Sequence, residues 1–265
     1  MKILVTGANG QLGNELRLLL PQAFPSVACL FTDVADLDLT DAAAVRRYVE
    51  DHDVTHIVNC AAYTAVDRAE EDKATCTAVN VDAVKNLAIA ADARGAKVIH
   101  ISTDYVFDGR SYRPYRESDK VNPCSHYGTT KRAGETALLA LAPDSVIIRT
   151  AWLYSPFGRN FVKTMLSLGR EGKPIRVVAD QIGSPTSAAN LAKAVVGVLR
   201  SPQWVPGIYH YVDAGVASWY DFTKAIHSIA GVTGSSVEPI PTEDYPTAAS
   251  RPFFSVGAPT RIRRT

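Results

Sequence analysis

Tyr127 and Lys131 stand four residues apart in the run Tyr127-Gly128-Thr129-Thr130-Lys131. If that run is helical, both side chains face the same way. A free tyrosine, with a pKa of about 10, is a poor acid or base at neutral pH. A neighbouring ammonium stabilises the phenolate and brings the phenol toward the working pH. By itself Y-x-x-x-K is also an ordinary surface pattern on an amphipathic helix. Ser102-Thr103-Asp104 changes the balance, because it closes an apolar run over residues 97–102. A strand there would deliver Thr103 to the carboxyl edge of a sheet, where open α/β sheets bind ligands. A hydroxyl at that edge can hold a carbonyl oxygen while the tyrosine protonates it.

A second constellation lies at the N-terminus. Residues 6–13 read TGANGQLG, with Gly7, Gly10 and Gly13 at spacing G-x-x-G-x-x-G. Glycine tolerates positive φ at a turn. It also lets backbone N–H groups approach a pyrophosphate and lets a helix pack close to a strand. The helix N-terminus then faces negative charge. A glycine pattern alone can be a plain turn, but this one follows an apolar run and opens a helical one, which points to dinucleotide binding. Asp33, ending the next apolar run, can take the adenosine ribose hydroxyls of NAD and would repel a 2′-phosphate. No Arg or Lys lies between Asp33 and Arg46 to accept such a phosphate. That reading leans to NADH, with a turn-capping role as its alternative. Asp38 and Leu39 follow as candidates to flank the adenine.

These residues need a scaffold. Short apolar runs at 3–6, 28–33, 56–59, 97–102 and 145–149 alternate with helical patterns at 11–20, 41–50, 74–94 and 128–142. The first helix is expected to stop at Pro21 and the third to end at Gly95. Such alternation predicts βαβ units, and uninterrupted apolar strands predict a parallel sheet covered on both faces. The fold expected is α/β, a Rossmann-like doubly wound parallel sheet. Residues 1–155 form the NAD(P)-binding part and residues 156–265 a smaller substrate lobe. In the second part only 190–199 and 219–230 read clearly as helices. The chain is expected to cross between the parts and to add to the sheet.

With 265 residues and 46% of them hydrophobic, the chain can bury a sizeable core. A formal net charge of +1 excludes an electrostatic case for nucleic acid or a membrane surface. Cys29, Cys60, Cys76 and Cys124 form no C-x-x-C pair, and no Cys/His spacing suits zinc. They read as thiols of a reducing compartment. The first residues do not form a signal peptide, and no apolar run reaches membrane-spanning length. The expectation is a cytoplasmic protein, monomeric or homodimeric.

With the glycine loop, the strand-end threonine and Y-x-x-x-K in that order, the sequence resembles the extended short-chain dehydrogenase/reductase family. Further stretches narrow the likeness to its dTDP-4-dehydrorhamnose reductases. These are 59–67 (NCAAYTAVD), 102–109 (STDYVFDG), 149–154 (RTAWLY), 160–165 (NFVKTM), 180–186 (DQIGSPT), 207–210 (GIYH), and Arg251-Pro252 with Ser255. The resemblance covers nearly the whole chain. It implies NADPH- or NADH-dependent reduction of the C4 ketone of a dTDP-sugar, dTDP-4-dehydro-L-rhamnose, to dTDP-L-rhamnose. It makes Tyr127 the proton donor, Lys131 its partner and Thr103 the holder of the C4 oxygen, with Asp104 beside it. Gly10, Gln11 and Leu12 would contact the pyrophosphate, with Asp33, Asp38 and Leu39 around the adenosine. Ala62, Tyr63 and Thr64 would lie near the inner half of the cofactor. Trp152 would line the sugar pocket, although a Trp after a strand is commonly a core residue. Arg251, and with less force Arg149, would meet the diphosphate. Some members bind Mg²⁺ through glutamates. Glu15 matches one, but Asn190 stands where another would fall, so no metal is expected. The family pattern continues into a closing helix, where this sequence has a loop and the basic tail 261–265. Rivals are a reductase of another nucleotide-4-ketosugar, an epimerase or dehydratase of the superfamily, and a non-catalytic dinucleotide-binding regulatory subunit. A regulatory protein of methionine adenosyltransferase in the same family is of that last kind.

Overall fold

Successive residues of a strand face opposite sides of a sheet, so a strand that is apolar throughout needs cover on both. The computed structural model, which describes residues 1–262, meets that need; residues 263–265 of the basic tail lie outside the described residues. The first part runs β1 (Lys2–Thr6), α1 (Gln11–Ala23), β2 (Ala28–Thr32), α2 (Ala42–Asp51) and β3 (His56–Asn59). It continues through α3 (Lys73–Thr77), a π-type turn (Ala78–Asp82), α4 (Ala83–Arg94), β4 (Lys97–Thr103), α5 (His126–Leu141) and β5 (Val146–Thr150). The second part is β6 (Leu153–Tyr154), α6 (Phe161–Arg170), β7 (Ile175–Val178), β8 (Ile182–Gly183) and β9 (Thr186–Ser187). Then come α7 (Ala188–Arg200), β10 (Gly207–His210), β11 (Ala217–Ser218), α8 (Trp219–Ile229) and β12 (Val237–Ile240).

The main sheet has the order β10-β5-β4-β3-β1-β2 and is parallel throughout. Leu4, Ile57, Val98 and Ile147 face one side, against Val45 and Val49 of α2, Leu87 of α4 and Leu138 of α5. Ile3, Val5, Val58, Ile99 and Ile148 face the other, against Leu12, Leu16 and Leu20 of α1 and Leu191 and Val195 of α7. Each such side chain contributes roughly 1.5–3 kcal/mol on burial, so the two cores, one per face, dominate what holds the sheet. This is the doubly wound, Rossmann-like architecture expected from the strand and helix alternation. β10 and α7 come from the second part of the chain and complete the sheet and its α1 side, so the chain does cross back.

Three local readings change. α1 runs past Pro21 to Ala23: the proline loses one hydrogen bond and crowds the preceding turn, but it is the third residue from the helix end, where buried Leu16 and Leu20 still anchor the last turns. The segment expected as one helix over 74–94 is broken by the π-type turn, which turns Asn80 inward. Gly134 permits this: a Cβ there would stand 2.2 Å from the Asn80 carbonyl oxygen. α6 was not legible as a helix, although Asn160 caps it by accepting from Lys163 N–H. Arg261, at the start of the basic tail, donates to the Ile208 carbonyl and lies over the Tyr209 ring.

Register places the site. Thr32, Thr6, Asn59 and His100 align across β2, β1, β3 and β4. β4 continues beyond that row, so Ser102 and Thr103 extend past the end of β3 and pair only with β5.

Candidate active site

The glycine loop opens a cleft of about 430 Å³ at the carboxyl ends of β1 and β2. Gly7 has φ +63°, and a Cβ there would meet the Ala61 backbone at 2.6 Å. A Cβ on Gly13 would meet the Gly7 carbonyl and Ala8 at 2.5 Å. Both glycines are therefore dictated by close packing of loop, strand and helix. Gly10 caps α1 without a side-chain hydrogen bond, and the first turn has no acidic residue. The N–H groups of that turn are left for an anion, so the residues fit a dinucleotide pyrophosphate. Gly7, Gly10, Asp33, Asp38, Leu39 and Ala62 all line the cleft. The Gln11 side chain instead bridges to the second part, accepting from Asn160 Nδ2 at 3.0 Å. Leu12 is core. Tyr63 and Thr64 do not line this cleft; Tyr63 packs toward Tyr127. Asp33 does two things at once. Its Oδ2 accepts from Asn9 N–H and its Oδ1 from Val34 N–H, both at 2.9 Å, while it borders the cleft.

Beside this cleft, Tyr127 opens α5, whose cap Ser125 accepts from Gly128 N–H. The phenol packs edge-on to Tyr105, at 5.5 Å between centroids. Burial raises its pKa well above the usual value, and the facing Thr103 hydroxyl pulls only part of that back. Lys131 is not among the groups that shift it, so the lowering expected from Lys131 is not seen. Lys131 Nζ is turned away, donating to the Ile101 carbonyl at 2.7 Å. Thr103 Oγ1 donates to Asp104 Oδ1 at 3.0 Å and accepts from Tyr105 N–H at 3.2 Å. Burial pushes the Asp104 carboxyl up to about 6, against hydrogen bonding from Ser255 and Thr103.

His100, which sequence reasoning passed over, sets the underside of Lys131. Asn59 Oδ1 accepts from the Thr6 hydroxyl and from Ala61 N–H, which fixes its amide. Asn59 Nδ2 must then donate to His100 Nδ1, at 3.0 Å. The His100 ring proton is left on Nε2, facing Lys131 Nζ at 3.4 Å. That arrangement works against an ammonium. Burial lowers the Lys131 pKa to about 8, opposed by the charge of Glu135. Asn80 braces the same floor, holding Tyr63 N–H and donating to Thr130 Oγ1. Neither residue carries a sequence signal short of the fold.

A second cleft, of about 690 Å³, lies against the second part, lined among others by Phe161, Met165, Gln181, Trp219, Asp67 and Arg251. The segment from Cys60 to Asp67 runs from the first cleft to this one. Trp152 has φ +49°, a strained conformation for a bulky side chain. Its ring stacks on Trp219 at 3.5 Å, over Gly183. Arg251 borders the cleft and donates to Asp67 Oδ2. Arg149 cannot meet a diphosphate. It is buried and doubly bonded to Glu135. Glu15 accepts from Ser155, and Asn190 donates to Asp213. Among the described residues no three His, Cys, Asp or Glu side chains are placed to hold a metal.

The family of the RmlD substrate binding domain matches residues 1–265. The dTDP-4-dehydrorhamnose reductase of Aggregatibacter actinomycetemcomitans is 40% identical, over 99% of this chain and 92% of that protein. The dTDP-4-keto-6-deoxy-D-glucose reductase of Streptomyces niveus is 40% identical, over 96% of this chain and 87% of its own length. Among solved structures, dTDP-4-dehydrorhamnose reductase from Bacillus anthracis str. Ames in complex with NADP superposes with a TM-score of 0.95. It is 38% identical and is matched over 99% of this chain and 92% of its own.

Proposed function

Since the chain belongs to the RmlD substrate binding domain family, we propose that it reduces the C4 ketone of dTDP-4-dehydro-L-rhamnose to dTDP-L-rhamnose with NADPH or NADH. The observation that carries this reading is the buried Tyr127 phenol facing the Thr103 hydroxyl, in a chain whose glycine loop opens a cleft fit for a dinucleotide. Bound nicotinamide supplies the hydride for C4. The chain supplies the proton and the geometry. Tyr127, kept protonated by burial, donates to the ketone oxygen as negative charge develops there. Thr103 turns its hydroxyl proton from Asp104 Oδ1 to that oxygen as the ketone binds. Lys131 holds ribose hydroxyls and offsets the phenolate left on Tyr127. Gly7, Gly10, Gln11, Leu12 and Gly13 form the pyrophosphate turn. Asp33, Asp38 and Leu39 take the adenosine end, and Ala62, Tyr63 and Thr64 the inner end. Trp152, on its Trp219 stack, walls the sugar. Arg251 exchanges Asp67 for the diphosphate.

Residues 1–155 carry the dinucleotide and 156–265 most of the sugar nucleotide, with α7 and β10 returning to the first part. Among the described residues no helix is long and apolar enough to cross a membrane. The four cysteines are free thiols, which suits the cytoplasm. We assign a monomer or homodimer.

The test is an absorbance assay at the reduced-nicotinamide band with dTDP-4-dehydro-L-rhamnose, NADH and NADPH in parallel. Turnover with either is expected. Cofactor binding without turnover overturns the substrate assignment. The equal likeness to the Streptomyces niveus reductase makes another dTDP-4-ketosugar the second reading. A ketosugar panel without turnover leaves a regulatory subunit.

A further inference from the structure

Behind Asp104, away from both clefts, is an internal cavity of about 10 Å³, roughly the space one water molecule occupies. It lies between the end of β4, the end of β5, β10 and residues 255–257. Among the described residues, four buried side-chain nitrogen or oxygen atoms have no hydrogen-bond partner: Asp104 Oδ2, Arg149 Nη1, Thr150 Oγ1 and His210 Nε2. All four belong to residues that line this one cavity. Each residue is at most 8% exposed. Orphaned buried polar atoms cost about 1–3 kcal/mol each, so four of them on residues that line one cavity call for a partner there.

Their chemistry is complementary. His210 Nδ1 faces the Tyr115 carbonyl at 3.0 Å and must donate to it, leaving a lone pair on Nε2. Asp104 Oδ1 is taken by Thr103, leaving Oδ2 as a second acceptor. Arg149 Nε and Nη2 are taken by Glu135, leaving Nη1 as a donor. The Thr150 hydroxyl can donate as well. Two donors and two acceptors, carried by residues that line one water-sized cavity, equal in number and kind the bonds that a single water makes.

We propose that this cavity binds one water, which accepts from Arg149 and Thr150 and donates to Asp104 and His210, and that His210 and Thr150 act through it as positioning residues. The water gives the inner oxygen of Asp104 a donor, and so keeps that group a carboxylate, which holds the Thr103 rotamer by accepting its hydroxyl proton until the ketone takes that proton over. The catalytic consequence rests on the reading of Thr103 as the ketone-holding group; the water site does not. Neutral His210 agrees with this: burial, helped by the Arg149 charge, lowers its pKa to about 4. The groups facing Asp104 are Thr103 and Tyr105 on its own segment, Tyr127 of α5, Arg149 of β5, His210 of β10 and Ser255. Ser255 also draws the Asp104 pKa down, while Oδ2 itself is left without a hydrogen-bond partner.

The first test is a crystal structure of the full chain at a resolution that orders waters. One peak within about 2.6–3.2 Å of all four atoms is expected; a cavity without density overturns the site. The second is the protonated-carboxyl infrared band of Asp104, assigned by its loss in Asp104→Asn and followed against pH. Thr150→Val removes one donor to the water, and His210→Phe removes its acceptor and fills the space. In both, the Asp104 midpoint should rise by about half to one pH unit, since a carboxylate that loses a donor is less stable. Unchanged midpoints in the folded variants overturn the positioning role. Neither readout depends on turnover, so failure here is distinct from a wrong substrate.

Discussion

Ser102 and Thr103 are neighbours on one strand, yet they feed two polar clusters of opposite character. Ser102 donates to Glu135 at 2.6 Å, and the same carboxylate takes two bonds from Arg149 and one from Arg132. Burial would raise the Glu135 pKa, but Arg149, Ser102 and Arg132 more than offset it and the net shift is downward. Thr103 leads instead to Asp104, Thr150 and His210, where polar atoms are left unpaired within the protein. Arg149 stands in both, with two nitrogens in the first cluster and one in the second. The saturated cluster clamps α5, and with it Tyr127 and Lys131, to the sheet. The unsaturated one has bonding capacity in reserve behind the Thr103–Asp104 pair, away from both clefts. Completed networks hold geometry, and incomplete ones mark where something else binds.

The comparison breaks most sharply at Tyr127. Tyr127→Phe should lower kcat by about 10²–10⁴-fold, with dinucleotide binding and Tm nearly unchanged. Stopped-assay turnover within threefold of the parent would remove Tyr127 as proton donor. Glu135→Ala should do the reverse to the saturated cluster. Stranding two arginines, one of them buried, should cost about 3–5 kcal/mol of stability in urea unfolding. A loss below about 1 kcal/mol would mean that the clamp is not what fixes α5.

Lys131 lies between these cases, since it is buried with one strong acceptor and an N–H facing it. It is charged below its pKa and loses that charge as pH rises through about 8. If the charge is needed, kcat/KM for the dinucleotide should fall about tenfold per pH unit above that point. A flat profile from pH 7 to 9 would show that the neutral amine suffices.

The first part of the fold was legible because parallel strands buried on both faces are written as apolar runs, and Gly7 and Gly13 sit where a Cβ has no room. Tyr127, Lys131 and Thr103 were legible because order along the chain mirrors placement at the sheet edge. His100 and Asn80 were not, since their roles depend on strand register and a helical bulge that a single sequence does not display. Arg149 resembled a phosphate ligand for the same reason that it makes a buried clamp: the guanidinium fork suits any oxyanion. Only its position on β5, opposite Glu135, decides between them. In the second part, short strands and the Asn160-capped α6 gave weak periodicity, so the lobe was expected from the loss of regular alternation, with only 190–199 and 219–230 read as helices.

Asp33 is the finest test, because it is neither saturated nor bare. Each carboxylate oxygen accepts one backbone N–H, one from the glycine loop and one from the turn that follows, while each still has a lone pair free. If the spare capacity faces ribose hydroxyls, Asp33→Ala should weaken NADH and relieve repulsion of a 2′-phosphate. The NADPH to NADH ratio of kcat/KM should then rise about tenfold, or ~1.4 kcal/mol. If the two bonds to the backbone are its whole task, both cofactors should weaken together as the loop loosens, and the ratio should hold. Parallel titrations of the two cofactors separate these outcomes, and an unchanged ratio would move Asp33 into the class of residues that only hold geometry.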